Sequence, residues 1–379
     1  MNNKIQTPPL PLPLKGGECL ADSTHAVAIS LPLMAVCCWL LALLCACSGE
    51  ESKPVSAYDM WHEDSAALRI AVTPTLDCLP LFLAEENGLF EQQGVEVSLY
   101  TYQAQMDCDT AFRSGWVDVM ASDLVRTEWL KQKGEKIRYL TATDLHWQLV
   151  ASKMARVKKL SQLEDKMIAM TRFSATAMLA DKLVDSSGVV NEHVFRIQVN
   201  DVNLRLKMLE SQVMDAMLLP EPQATGARLL DATVLYDTRW NDVCMGVLAM
   251  RELDEEGRTK EEVVRTKEKE EVVRTKEERR GTKEQVEGLL KAYDEACDSI
   301  NTRGLMAYRT LIAERCGVRP EILDSLPPDI HFNPSRQPRQ HDIDLATSWL
   351  KIDKGGRTKE KGGKTKEKGG KGKKKGKRR

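Results

Sequence analysis

Between Leu68 and Leu99 the chain reads strand, loop, helix, glycine turn, strand, and that order commits it to an α/β architecture. Leu68–Val72 (LRIAV) is a short apolar run rich in branched residues, the pattern of a buried strand. It stops at Thr73-Pro74-Thr75-Leu76-Asp77, where Pro74 removes a ladder donor and the Thr and Asp side chains favour loops and helix caps. Apolar residues then recur at helical spacing through Leu79, Leu81, Phe82, Leu83, Ala84 and Leu89-Phe90, with Gly88 near the helix end. Gly94–Leu99 alternates as a second strand. A strand that ends in hydroxyls and in the free amides of a helix start makes a natural cradle for a small ligand.

The segment Leu81-Phe82-Leu83-Ala84-Glu85-Glu86-Asn87-Gly88-Leu89-Phe90, followed by Gly94-Val95, resembles the opening of periplasmic solute-binding proteins of ABC importers, in the nitrate/sulfonate/taurine group. A generic Rossmann-like βαβ unit has a similar outline. The amino-terminal end agrees with the resemblance: Ala26 to Ala46 is nearly continuous apolar and ends Leu44-Cys45-Ala46-Cys47-Ser48-Gly49. That ending matches a bacterial lipobox, with an apolar helix for the translocon, small residues at the cleavage point and the Cys47 thiol for the lipid. The same stretch is also long enough to span a bilayer as an anchor.

Two charged segments stand apart from the rest. Residues 261–269 and 270–278 are nine-residue tandem copies differing at one position, and residues 355–375 repeat every seven. Both carry an Arg/Lys-Thr-Lys-Glu core and too few apolar side chains to offset the entropy of packing. The first segment can form a solvated helix leading into Val286; the Gly- and Lys-rich tail is expected to be disordered. Residues 351–379 hold fifteen Lys and Arg against three carboxylates, a net +12, so the chain total of −1 leaves −13 elsewhere. The tail reads either as an adhesive for anionic surfaces or as repetitive sequence carried at a tolerant terminus. Without these segments and the leader, roughly 270 residues remain, enough for two α/β lobes. Ten cysteines include five in the leader or at the lipid position. The other five, Cys78, Cys108, Cys244, Cys297 and Cys316, show no metal-ligand spacing and read mainly as buried apolar residues.

The expected organisation is a leader over 1–46, a linker over 47–66, lobe one from 67–148 and 243–350, and lobe two from 149–242. A charged insertion occupies 252–285 and a disordered basic tail 351–379. The fold this implies is α/β, two Rossmann-like lobes with mixed, mainly parallel sheets joined by a hinge, the type 2 periplasmic binding protein arrangement. Candidate ligand contacts are the residues where strands of such a fold end. Thr73, Thr75 and Asp77 follow the first strand. Ser122 and Asp123 follow Gly115–Ala121, and Asp123 serves equally as the N-cap of the next helix. Lys166–Met170 runs into Thr171-Arg172-Phe173-Ser174-Ala175-Thr176, where Thr171, Ser174 and Thr176 offer hydroxyls and Arg172 a planar fork for a carboxylate, sulfonate or phosphate. Ordinary capping by Ser174 beside a surface arginine is the plainer account. Glu221, between Pro220 and Pro222, either presents its carboxylate to a ligand or caps the following helix.

The resemblance therefore implies a tethered receptor on the periplasmic side of a bacterial membrane, lipid-anchored through Cys47. It would capture a small polar or anionic solute between closing lobes and hand it to an ABC permease. It would act as a monomer, without a cofactor, a metal or nucleic acid. Enzymes of the thiamine-pyrimidine and menaquinone pathways share this architecture, as would a receptor that only senses its ligand. The thiamine-pyrimidine enzymes depend on a histidine and a cysteine-rich run that this chain lacks, and His146 has no nucleophile paired with it in the sequence.

Overall fold

The computed structural model describes residues 67–252 and 280–360, with side chains described to Lys351. The leader with Cys47, the nine-residue repeats and residues 361–379 lie outside the described residues. Two five-stranded sheets form the frame. Lobe one contains β1 (Leu68–Val72), β2 (Val97–Thr101), β3 (Val119–Asp123), β4 (Ile137–Ala142) and β10 (Gly246–Arg251), in the order β2-β1-β3-β10-β4. Lobe two contains β5 (Gln148–Ala151), β6 (Lys166–Met170), β7 (Val194–Gln198), β8 (Ala216–Leu219) and β9 (Thr233–Asp237), in the order β7-β6-β8-β5-β9. Each sheet has three parallel strands, β2-β1-β3 and β7-β6-β8. One antiparallel strand, β10 or β5, follows and pairs on its far side with a fifth strand, β4 or β9.

The strand calling for most explanation is β1, buried at all five positions although Arg69 is one of them. Its guanidinium is neutralised by Asp118 at 3.4 Å and donates to the Gly115 carbonyl, so the charge enters the sheet already paired. Asp118 also accepts from the Arg69 amide, from Arg280 Nε at 3.2 Å and, through its carbonyl, from the Arg251 amide. Helix α1 (Leu79–Glu86) buries Leu79 to Ala84 against this sheet, and Gly88, at φ 64°, supplies the left-handed exit into α2 (Leu89–Gln92). Helices α3 (Gln105–Arg113) and α4 (Leu124–Gln132) complete the consecutive part of lobe one. In lobe two, α5 (Ala175–Ser187), α6 (Val202–Glu210) and α7 (Gln223–Leu229) follow β6, β7 and β8 in turn.

After the insertion the chain returns as α8 (Lys283–Arg303), α9 (Arg309–Cys316) and α10 (Pro320–Leu323). Helix α8 starts inside the stretch expected to be insertion (252–285). Thr282 and Gln285 form a reciprocal capping box, and the apolar face at Val286, Leu289, Ala292, Tyr293, Ala296 and Ile300 is buried. The last helix, α11 (Gln340–Glu360), overlaps the helix expected over Leu345 to Ile352, and its final ten residues fall in the stretch assigned to the tail (351–379). Ala346 and Leu350 anchor it in the core, and extending a nucleated helix fixes only one residue at a time. This helix lies against α4 of lobe one and also reaches lobe two, where Trp349 Nε1 donates to Asp181 of α5 at 3.1 Å. No helix among the described residues is long and apolar enough to cross a membrane.

Candidate functional site

The carboxyl ends of parallel strands from both lobes meet at one cavity, the place where open α/β sheets leave room for ligands. Its lining comes from Thr73 and Thr75 after β1, Gln103 and Gln105 after β2, and Leu145 and Trp147 on the crossing between lobes. Lobe two supplies Thr171 after β6 and Asn200, Val202 and Arg205 around the start of α6. Counted out to its open mouth, the space measures about 330 Å3. The lobes are closed over it. The Leu76 amide donates to the Glu221 carbonyl at 2.8 Å, Gln223 Nε2 donates to the Pro74 carbonyl at 2.8 Å, and Ala104 forms an isolated β-bridge with Asp201.

Of the ten residues singled out in the sequence, Thr73, Thr75 and Thr171 line the cavity. Thr73 and Thr75 share a hydroxyl bond at 2.9 Å. Asp77 sits behind them, buried, with Oδ2 accepting from Thr143 Oγ1 at 3.0 Å and Oδ1 without a partner. Burial pushes its carboxyl above the ordinary range, and the Thr75 and Thr143 hydroxyls only partly offset this. Ser122 is buried outside the lining, its hydroxyl unpartnered. Ser174 and Thr176 are turned inward: Ser174 caps α5, donates to the Thr171 carbonyl at 2.7 Å and meets Thr176 Oγ1 at 2.7 Å, while Thr176 Oγ1 accepts from the Thr171 amide. Arg172 is exposed and absent from the lining. Glu221 serves as a helix cap, accepting from the Thr225 amide and hydroxyl at 2.9 and 2.7 Å and pairing with Arg228 and Gln148.

Asp123 is a double cap. Its Oδ1 accepts from the Arg126 amide of α4 at 2.9 Å and from the Ala175 amide, the first residue of α5 in the other lobe, at 3.0 Å. Burial pushes its carboxyl up from 3.8 to about 6, with those amides pulling the other way. A carboxyl raised on folding favours the folded state where it is protonated. Its contribution is therefore complete below about 3.8 and lost as pH rises through about 6. Asp123→Asn is expected to flatten the dependence of stability on pH across that window, followed by urea unfolding at a series of pH values. An unchanged slope would assign it instead to Asp77 and Asp109, whose carboxyls burial also raises.

The charge at the cavity belongs to Arg205, a residue the sequence reading passed over. Its side chain is fully buried at the cavity floor. It donates through Nε to the Val199 carbonyl at 2.7 Å, through Nη1 to the Leu218 carbonyl at 2.6 Å and through Nη2 to Thr171 Oγ1 at 2.7 Å. No carboxylate among the described residues pairs with it; Asp201, the nearby acid, spends its Oδ1 on the amides of Asn203 and Leu204. Burial accordingly pulls the guanidinium down to about 9. Beside it in the lining, Trp147 is 3% exposed and its Nε1–H has no acceptor. The arrangement therefore offers unspent donors and a buried positive charge, and no acidic residue lines it.

His146 lies outside the lining, 3.3 Å from Thr238 Oγ1, and burial lowers its pKa. No group of His, Cys, Asp and Glu among the described residues could hold a metal ion, and the five described cysteines are unpaired.

Residues 75–239 match the sequence family described as NMT1/THI5 like. No curated protein sequence matches the chain. Among solved structures, the chain is similar to the alkanesulfonate-binding protein SsuA from Xanthomonas axonopodis pv. citri bound to MOPS, at 16% identity, 78% of this chain, 94% of that one and a TM-score of 0.58. The periplasmic aliphatic sulphonate binding protein SsuA from Escherichia coli gives 14% identity, 78% and 89% coverage and a TM-score of 0.58. The periplasmic nitrate-binding protein NrtA from Synechocystis PCC 6803 gives 13%, 72%, 74% and 0.54. The two sheets and their strand order give this chain the type 2 periplasmic binding protein fold of these solved structures, and its residues 75–239 carry the similarity to the NMT1/THI5-like family.

Proposed function

We propose that the protein is the solute-binding component of an ABC importer, taking up a small acidic solute between its two lobes. The observation that carries this reading is Arg205, a buried cation at the floor of an interlobe cavity with hydroxyl and carbonyl acceptors but no carboxylate. A buried charge is costly until it is paired, and a bound carboxylate or sulfonate would supply the missing partner. Asp77, Asp123 and Glu221, which could have received an ammonium group, are committed elsewhere or lie outside the lining, so the cavity favours an acid over a zwitterion or a polyamine. The apolar leader and the Cys47 motif support a lipid tether on the periplasmic side, from which the closed, loaded form would dock on a permease.

The test is a thermal-shift screen of the purified protein against sulfonates, nitrate, organic acids, pyrimidines, thiamine precursors, amino acids and polyamines. A binder at 100 times its dissociation constant adds about 2.7 kcal/mol and raises the melting temperature by several degrees. The expected hits are acids that remain chemically intact on prolonged incubation. A hit that is consumed would make the protein an enzyme, and hits confined to polyamines would refute the acidic-solute reading.

A further inference from the structure

The lobes touch at a second place that takes no part in lining the cavity. Along the first turns of α4, Asp123, Arg126 and Trp129 stand three residues apart, and each grips the loop that joins β6 to α5 in the other lobe. Asp123 Oδ1 accepts from the Ala175 amide at 3.0 Å. Arg126 Nη1 donates to the Arg172 carbonyl at 2.9 Å, while its other nitrogens are held by Asp109 of α3, a pair whose side chains are only 4% and 5% exposed. The Trp129 ring stacks on Phe173, with centroids 5.2 Å apart and planes 14° from parallel. Phe173 sits at φ 53°, in the left-handed region that bulky L residues avoid. Such a conformation persists only where its surroundings over-determine it.

We propose that Asp123, Arg126 and Trp129 form a clasp on the 171–175 loop that sets the balance between open and closed lobes, separately from whatever fills the cavity. Three kinds of contact, a helix cap, a charge-assisted bond to a carbonyl and an aromatic stack, converge on Ala175, Arg172 and Phe173 of the opposite lobe. All three join the two lobes in this structure. The clasped loop also carries Thr171, whose hydroxyl holds Arg205 Nη2 at 2.7 Å, so a change at the clasp reaches the floor of the cavity through a single residue. The Arg172 side chain takes no part; its carbonyl is the functional atom.

The clasp gives the capture reading a means of tuning affinity, since closure that is already favourable lowers what the solute must contribute. In that sense it rests on the proposed function, but its test needs no solute and so fails or succeeds independently. Phe173→Gly removes the ring while suiting the left-handed backbone, and Trp129→Ala removes the other half of the stack. Hydrogen–deuterium exchange would be followed by mass spectrometry on the ligand-free protein.

Loss of a stacked pair corresponds to a shift of about two- to tenfold in the open-to-closed ratio. Exchange should therefore quicken by that factor at Ala175 and also at Leu76, whose amide bonds the Glu221 carbonyl across a different part of the cleft. Amides of the central strands β1 and β6 should keep their protection. Faster exchange confined to residues 171–176, with Leu76 unchanged in both variants, would reduce the contact to local loop packing and overturn the proposal.

Discussion

An Arg205→Met protein should bind an acidic solute at least about 30-fold more weakly than the parent. The estimate follows from truncating one member of a buried, hydrogen-bonded charge pair, which costs about 2–5 kcal/mol when its partner is present, with about 1.4 kcal/mol to each factor of ten. Methionine is suited to the test because it is unbranched, similar in reach and adapts to irregular core space. The change also strips donors from the Val199 and Leu218 carbonyls and from Thr171 Oγ1. Each such loss costs about 1–3 kcal/mol, against which removal of a desolvated charge is a gain. A net loss of stability of about 1–3 kcal/mol is expected, small enough for a folded variant to be titrated calorimetrically with an acid found in the screen. Arg172→Ala is the matched control. Its exposed side chain lies outside the cavity, so affinity should stay within about twofold. Equal affinities for the parent and Arg205→Met, or a loss on Arg172→Ala alone, would move the anion site away from the floor of the cavity.

The second large effect belongs to Gly246, the first residue of β10, where the chain re-enters lobe one. A methyl group built there would stand 2.2 Å from Thr143 Oγ1, 2.5 Å from Leu145 Cβ and 3.2 Å from the Thr143 carbonyl. Leu145 Cβ is fixed to the crossing segment itself, so the crowding falls on backbone. By contrast, a methyl at Gly226 would meet only the ends of Leu206 and Ile322, which can rotate away. Gly246→Ala is expected to cost about 3 kcal/mol, read as a fall in the urea midpoint at constant slope. Solute affinity should fall with it, since Leu145 lines the cavity and Thr143 supports Asp77. A parent-like midpoint would mean that the crossing absorbs a methyl group without strain.

The sequence announced the lobes through strand and helix periodicity, because both central strands of the parallel triplets, Leu68–Val72 and Lys166–Met170, are bounded by unambiguous loop chemistry. Thr73, Thr75 and Thr171, singled out as hydroxyl residues directly after buried strands, line the cavity. What the sequence left open at Asp123 and Glu221 has a physical cause: a carboxylate that caps a helix and one that meets a ligand use the same oxygens. The deciding partner of Asp123, the Ala175 amide, lies 52 residues away in the chain. Arg205 did leave a signal. It shares the buried stripe of α6 with Val202 and Leu209, and a charged residue on an apolar stripe marks a buried charge in want of a partner. Trp147 left none, because its position looks like ordinary core until the orphaned N–H is seen.

The arrangement around Asp118 has a consequence for how such a chain can change length. Arg251, where the body is left, and Arg280, where it resumes, are both bonded to that one residue, and Asp118 is itself tied to Arg69 of the central strand. The exit and the return are thus stitched to the same rivet. Lengthening a flexible span between closed ends costs only about 0.6 kcal/mol for each doubling. Length added between residues 252 and 280 is therefore expected to cost the fold little. The same socket would accept a grafted reporter domain without disturbing either sheet.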